Sequence, residues 1–144
     1  MAAALFNKKM EKMGFSDRCQ AQSAGTWGRD GFPADDRAMQ VMRERGIDIT
    51  SHRSREVNVE IINAADLILT MEKGHKEALQ IEFPNHRGKI WLLSEISDPD
   101  EYSIPDPYGG TLDDFEEVAV ELESIINEGI TGILQRACPD LLNR

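Results

Sequence analysis

Residues 66–71 read DLILTM and residues 89–93 read KIWLL. Each run is too short for an ordinary helix and too uniformly apolar for a strand with one wet face. Strands of this kind are covered on both faces, which requires helices packed on either side of a sheet. Residues 73–83, between the two runs, carry a helical pattern. The pair therefore predicts a parallel strand–helix–strand unit and excludes a β-sandwich or a plain helix bundle.

The rest of the chain alternates in the same way. Residues 1–13 read as a helix, because Ala2, Leu5, Phe6, Met10 and Met13 share a stripe with the stem of Lys9 at 3.6-residue spacing, and Gly14 stops it. Residues 19–24 read as a short strand that runs into the turn-prone residues 23–26. A second helix opens at Ala34, Asp35 and Asp36, places Ala38, Val41 and Met42 on one face, and closes with Arg43, Arg45 and Gly46. The last helix starts at Thr111, with Asp114 completing an acidic capping box. Its stripe of Leu112, Phe115, Val118, Leu122, Ile125 and Ile126 is regular until Gly129 and Gly132, which are expected to weaken it. With no repeat, low-complexity tract or linker, residues 1–144 are expected to form one α/β domain.

Twenty-six acids against sixteen bases give a net charge of -10, which argues against a nucleic-acid partner or an anionic membrane surface. No apolar run approaches the ~18 residues of a membrane span, and MAAALFNKKM is not a secretory signal. Cys19 and Cys138 make neither a disulfide framework nor a metal-ligand spacing. The expectation is a reduced, cytoplasmic protein.

In an open parallel sheet the site belongs at the carboxyl ends of the strands. Among the loops leaving those ends, residues 94–110 contain Pro105-Asp106-Pro107-Tyr108-Gly109-Gly110, just ahead of the capped helix. Prolines on both sides fix the backbone around Asp106. A fixed carboxyl suits general acid catalysis, and it equally suits a plain Asp-Pro turn. The densest basic run, His52-Arg53-Ser54-Arg55, fits either an anion site or surface ion pairs. Trp27, in a Gly-rich loop, fits a stacking platform or a half-buried core position.

The run SAGTWGRDGFPADDRA, then ERGIDITSHRSR, then ADLILTME, then IPDPYGG, in that order, resembles the low-molecular-weight protein-tyrosine phosphatases in their bacterial form. The resemblance covers nearly the whole chain. It implies a three-layer α/β fold whose four-stranded parallel sheet has strand order 2-1-3-4. It also implies hydrolysis of phosphotyrosine esters through a cysteinyl-phosphate, with no metal and no cofactor, on a phosphotyrosine protein or a small aryl phosphate. By the same resemblance Asp106 is the catalytic acid, Tyr108 and Trp27 wall the substrate slot, and Ser23 and His52 support the phosphate loop.

The family begins with an apolar strand leading into a Cys-x5-Arg loop that holds the phosphate at a helix N-terminus. The opening MAAALF resembles the helix after that loop, so roughly 15 to 20 residues of strand and loop are expected to be missing. The first helix has no Ser, Thr, Asp or Asn to cap it and carries a cationic amine at its positive end, in keeping with that expectation. Cys138 and Arg144 satisfy Cys-x5-Arg by count, but no glycine lies between them and no helix follows. The chain by itself is therefore expected to be inactive. A start placed at an internal methionine is one reading, and a non-catalytic binding module using the Trp27/Tyr108 face is another. Arsenate reductases of the same fold rank below both, because a disulfide relay needs further cysteines. A homodimer covering the open sheet edges is a possible assembly.

Overall fold

A computed structural model describes residues 1–26, 29–97 and 101–143. The chain forms two compact units, one from Met1–Val57 with Asp106–Ser124 and one from Asn58–Pro105 with the residues from Ile125 on.

The first unit opens with helix α1, Ala2–Met13, which buries Leu5, Phe6 and Met10. Met1 caps it without a side-chain bond, and burial pushes the pKa of the amino terminus down. Gly14 closes it at φ 76°, and Phe15 N–H reaches back to the Met10 carbonyl (2.8 Å) in the C-terminal turn such glycines permit. The expected strand at 19–24 does not form. Ala21 is instead paired by a side chain: Asn7 Oδ1 accepts from its N–H (2.7 Å) and Asn7 Nδ2 donates to its carbonyl (2.9 Å). An amide side chain thus occupies positions where a neighbouring strand would bond. Among the described residues of this unit, strand-like pairing is a parallel bridge between Gly25 and Glu56.

Helix α2, Asp36–Glu44, buries Ala38, Val41 and Met42, the face read from the sequence, and its N-cap Asp35 accepts from Arg37 N–H (2.9 Å). Arg45 follows it and grips the first half of the last helix, forking to Glu116 (2.6 and 2.8 Å) and reaching Glu123 (2.9 Å). Those carboxylates hold the Arg45 guanidinium far above its usual range.

The second unit contains the sheet. Helix α3 (Val59–Ala64) precedes strand β1 (Ile68–Thr70), helix α4 (Lys73–Glu82) and strand β2 (Ile90–Leu92). The strands pair in parallel, Ile68 against Ile90 through Thr70 against Leu92, as the two apolar runs require. Of the family's order 2-1-3-4, expected here without its first strand, two strands are present among the described residues, and the α/β class stands on them. Ile90 and Leu92 are fully buried, whereas Ile68 and Leu69 are half-buried. Within the short helix α5 (Leu93–Ser97), Ser94 Oγ donates to the Tyr102 carbonyl (2.6 Å), while Ile104 N–H bonds the Met71 carbonyl beyond β1 (2.8 Å).

Helix α6 runs from Leu112 to Ala137, straight through the two glycines expected to weaken it. Gly132 is there for clearance, since a Cβ would lie 2.8 Å from Ile96 Cγ2, whereas one at Gly129 would make ordinary contact, 3.4 Å from Ser97 Cβ. Close approach of α5 outweighs the loss of helix propensity. Among the described residues no helix is long and apolar enough to cross a membrane.

Candidate active site

Asp106 is held by its own loop. Its Oδ1 accepts from Tyr108 N–H (2.9 Å), closing an Asx turn between two prolines, and Gly110 N–H bonds the Pro107 carbonyl (2.9 Å). Gly109 takes the left-handed conformation, φ 80°, which the turn needs. Gly110 is fixed by crowding, since a Cβ there would meet Asp114 Oδ2 at 2.5 Å and the Pro107 carbonyl at 2.9 Å. Thr111 and Asp114 form the expected capping box, with Thr111 N–H on Asp114 Oδ2 (2.6 Å) and Asp114 N–H on Thr111 Oγ1 (3.3 Å). The bonds from Thr111 hold the Asp114 carboxyl below the usual range.

Arg37 completes the loop, and the sequence reading missed it. Its Nη1 donates to the Gly110 carbonyl, its Nε and Nη2 clamp Asp35 (2.9 and 2.8 Å), and its guanidinium lies 4.9 Å from the Phe115 ring centroid. The N-terminus of α2, the 106–110 turn and the start of α6 thus meet on one fork. The only hint in the sequence is an arginine two residues after an N-cap acid, a local pattern whose long-range partner cannot be read from spacing.

Asp106 and Tyr108 are exposed, Tyr108 at 80%. Beyond the Tyr108 amide, the exposed Asp106 has no hydrogen-bond partner among the described residues, which leaves Oδ2 unbonded there. A carboxyl fixed in direction with one free oxygen can deliver a proton to a bound leaving group and take one back from water.

Ser23 and His52 lie on segments drawn together by the Gly25–Glu56 bridge. Gly25 N–H bonds the Arg55 carbonyl (2.8 Å), Val57 N–H bonds the Gly25 carbonyl (2.9 Å), and Arg55 Nε donates to the Ser23 carbonyl (3.0 Å). Neither the Ser23 hydroxyl nor the His52 ring has a hydrogen-bond partner among the described residues, and no bond joins either to Asp106. Burial, then the positive amino terminus and Arg53, lower the His52 pKa, which keeps the ring neutral at neutral pH. Trp27 lies outside the described residues. The hollows of about 250 Å³ beside Met39 and Ile47 and about 210 Å³ beside Asn7 and Cys19 include none of Asp106, Tyr108, Ser23 and His52.

Neither cysteine is a free thiol in the structure, contrary to the expectation of reduced thiols. Cys19 is buried, and Cys138 precedes the single 3-10 turn Pro139–Leu141, with its N–H on the Leu134 carbonyl (2.8 Å). That turn offers no anion-cradling loop, and Arg144 lies outside the described residues.

The family model of the low molecular weight phosphotyrosine protein phosphatases matches residues 1–136. A probable low molecular weight protein-tyrosine-phosphatase, EpsP, from Ralstonia nicotianae is 38% identical over 95 residues, covering 66% of this chain and 63% of its own length. A protein-arginine-phosphatase from Geobacillus stearothermophilus is 32% identical over 128 residues, covering 88% of this chain and 82% of its own. Among solved structures, the YwlE arginine phosphatase from Geobacillus stearothermophilus superposes with TM-score 0.86 at 29% identity, covering 99% of this chain and 87% of the other. A low molecular weight protein tyrosine phosphatase from T. tengcongensis reaches 0.84 at 35% identity, covering 90% and 87%.

Proposed function

The chain belongs to the low molecular weight phosphotyrosine protein phosphatase family, and from that membership we propose that it serves hydrolysis of a phosphorylated protein side chain, with Asp106 as the acid. The observation that carries the reading is the 106–110 turn: a carboxyl pinned by prolines, an Asx bond and Arg37, with one oxygen open to an incoming leaving group. When the phosphorus–oxygen bond of a tyrosyl phosphate breaks, the departing phenolate needs a proton, and Asp106 supplies it. The same group then takes a proton from the water that attacks the phosphoenzyme. The exposed ring of Tyr108, two residues on, gives a flat aromatic substrate a face to rest on. This supports phosphotyrosine or an aryl phosphate as substrate.

The nucleophile is a separate matter. The family's reaction needs a cysteine thiolate, and residues 1–144 hold no free thiol. We infer that these residues alone hydrolyse aryl phosphate only at background rate, because losing a nucleophile costs ~10⁶ in rate. Ser23 and His52 are proposed to brace the family's phosphate loop, and Trp27 to wall the substrate slot with Tyr108.

The test uses p-nitrophenyl phosphate. The 144-residue chain should be silent. The same chain carrying at its front an apolar strand and a Cys-x5-Arg loop of the family's pattern should turn over, and Asp106→Asn in that fusion should lower kcat by roughly 10²- to 10³-fold. Turnover by the unextended chain that disappears with Cys138→Ser would overturn the nucleophile assignment. Full activity of the Asp106→Asn fusion would overturn the acid assignment.

A further inference from the structure

The basic run at 52–55 admits two readings, surface ion pairing or an anion-facing surface, and in the first unit the ion pairs form elsewhere. Arg37 takes Asp35, Arg45 takes Glu116 and Glu123, and Lys8 takes Glu11. Arg53 instead donates from Nη1 to the carbonyls of Thr50 (3.0 Å) and His52 (2.7 Å). Arg55 donates from Nε to the Ser23 carbonyl (3.0 Å) and from Nη2 to Gln22 Oε1 (2.8 Å). The Arg29 guanidinium makes no hydrogen bond and stands 6.0 Å from the Phe32 ring centroid. None of the three arginines has a carboxylate partner among the described residues.

These side chains sit on a built surface. Ser54 ties the two segments together: Gly31 N–H bonds the Ser54 carbonyl (2.8 Å), Ser54 N–H bonds the Phe32 carbonyl (2.7 Å), and Phe32 N–H bonds Ser54 Oγ (3.0 Å). Ser54 Oγ in turn donates to the Arg29 carbonyl. The neighbouring acids are partly occupied, since Asp30 Oδ1 accepts from Glu56 N–H (2.8 Å) and Asp48 Oδ1 from Thr50 N–H (2.9 Å). Glu56 remains as an exposed anion at the edge. Phe32, on the segment that Ser54 holds, is 51% exposed.

A guanidinium bonded to carbonyls keeps its full charge and its unused N–H donors. Three guanidiniums without a carboxylate partner, one of them over the exposed Phe32 ring, lie on the two segments that Ser54 joins, and in a chain of net charge -10 they make a local cationic and aromatic surface on an anionic body. We propose that Arg29, Phe32, Arg53 and Arg55 form a docking surface for an acidic peptide segment of a partner protein, its carboxylates on the arginines and an apolar side chain on Phe32. The charge selects the occupant: a polyanion as long as a nucleic acid would meet the repulsion of the whole chain, whereas a short acidic segment meets only the face. The surface stands independently of the chemistry at Asp106.

The experiment is a fluorescence-anisotropy titration of the 144-residue chain with a labelled glutamate-rich peptide containing one phenylalanine. Its controls are a glutamine-for-glutamate version of the peptide and a single-stranded oligonucleotide. The glutamate peptide should bind saturably, more weakly as salt rises from about 50 to about 300 mM, and at least roughly tenfold more tightly than the glutamine version. Arg29→Gln with Arg53→Gln should weaken it by roughly tenfold, and Phe32→Ser should weaken it too. Arg29 and Phe32 make no side-chain hydrogen bond, so Arg29→Gln and Phe32→Ser test the surface without cutting the Ser54 bridges. Arg87→Gln, on the second unit, should leave affinity unchanged. No saturable binding, equal binding of the glutamine peptide, equal loss with Arg87→Gln, or tighter binding of the oligonucleotide would each overturn the proposal.

Discussion

At the scale of single residues, Arg37 and His52 give the sharpest expectations. Arg37→Gln removes the donor to Gly110 and the clamp on Asp35. The 106–110 turn should loosen, so Tyr108 N–H, bonded to Asp106, should exchange with solvent roughly tenfold faster by NMR. Arg37→Lys should recover little, because an ammonium keeps the charge and loses the fork. Unchanged exchange would mean that the prolines hold the turn alone. His52 is poised by burial first, then by the amino terminus and Arg53, with its folded pKa below the ordinary value. On acidification the unfolded chain takes up a proton before the folded one, so stability falls as pH drops below about 6.5. His52→Gln should flatten the fall in urea midpoint between about pH 7 and pH 5, ahead of the acid range where the Asp35 and Asp114 carboxyls lose their bonds. Asp106 and its turn residues were legible in the sequence because proline, glycine and Asx geometry are local. Arg37 was not, because its partner at Gly110 lies far along the chain.

At the scale of elements, pattern succeeded where each element answers to its own residues. Helices α1, α2 and α4 and the parallel pair β1–β2 follow their stripes and apolar runs. The segment at 19–24 failed because a strand is defined by a partner, and here the partner of Ala21 is the side chain of Asn7. Gly129 and Gly132 misled because helix propensity was weighed without a neighbour, whereas α5 lies against both. The two glycines should separate on substitution. Gly129→Ala finds ordinary room and should be neutral or stabilising, by up to about 1 kcal/mol of recovered helix propensity. Gly132→Ala drives a methyl into Ile96 and should cost about 1–2 kcal/mol net. Urea denaturation of the pair decides it, and equal effects would mean that Ile96 moves aside freely.

At the scale of the whole chain, a net charge of -10 implies self-repulsion in the folded form. The ion pairs that salt would weaken are few and partly exposed, apart from Lys76–Glu95. The melting temperature should therefore rise between about 20 and about 200 mM NaCl, and a fall would show that local pairs outweigh the net field. Length and charge were readable from the sequence at once, but the division into two units was not, since each is assembled from separated stretches. That interleaving bears on synthesis. As the chain leaves the ribosome, residues up to Val57 emerge without Phe115, Val118, Ala119 and Leu122, buried residues of the same unit, and without the carboxylates that Arg45 grips. All of residues 58–105 must emerge before those arrive. A nascent chain halted at residue 57 should remain protease-sensitive, because the part of its unit's core that the last helix supplies has yet to be made. Residues 1–57, translated well ahead of their partners in 106–124, are among the last able to settle.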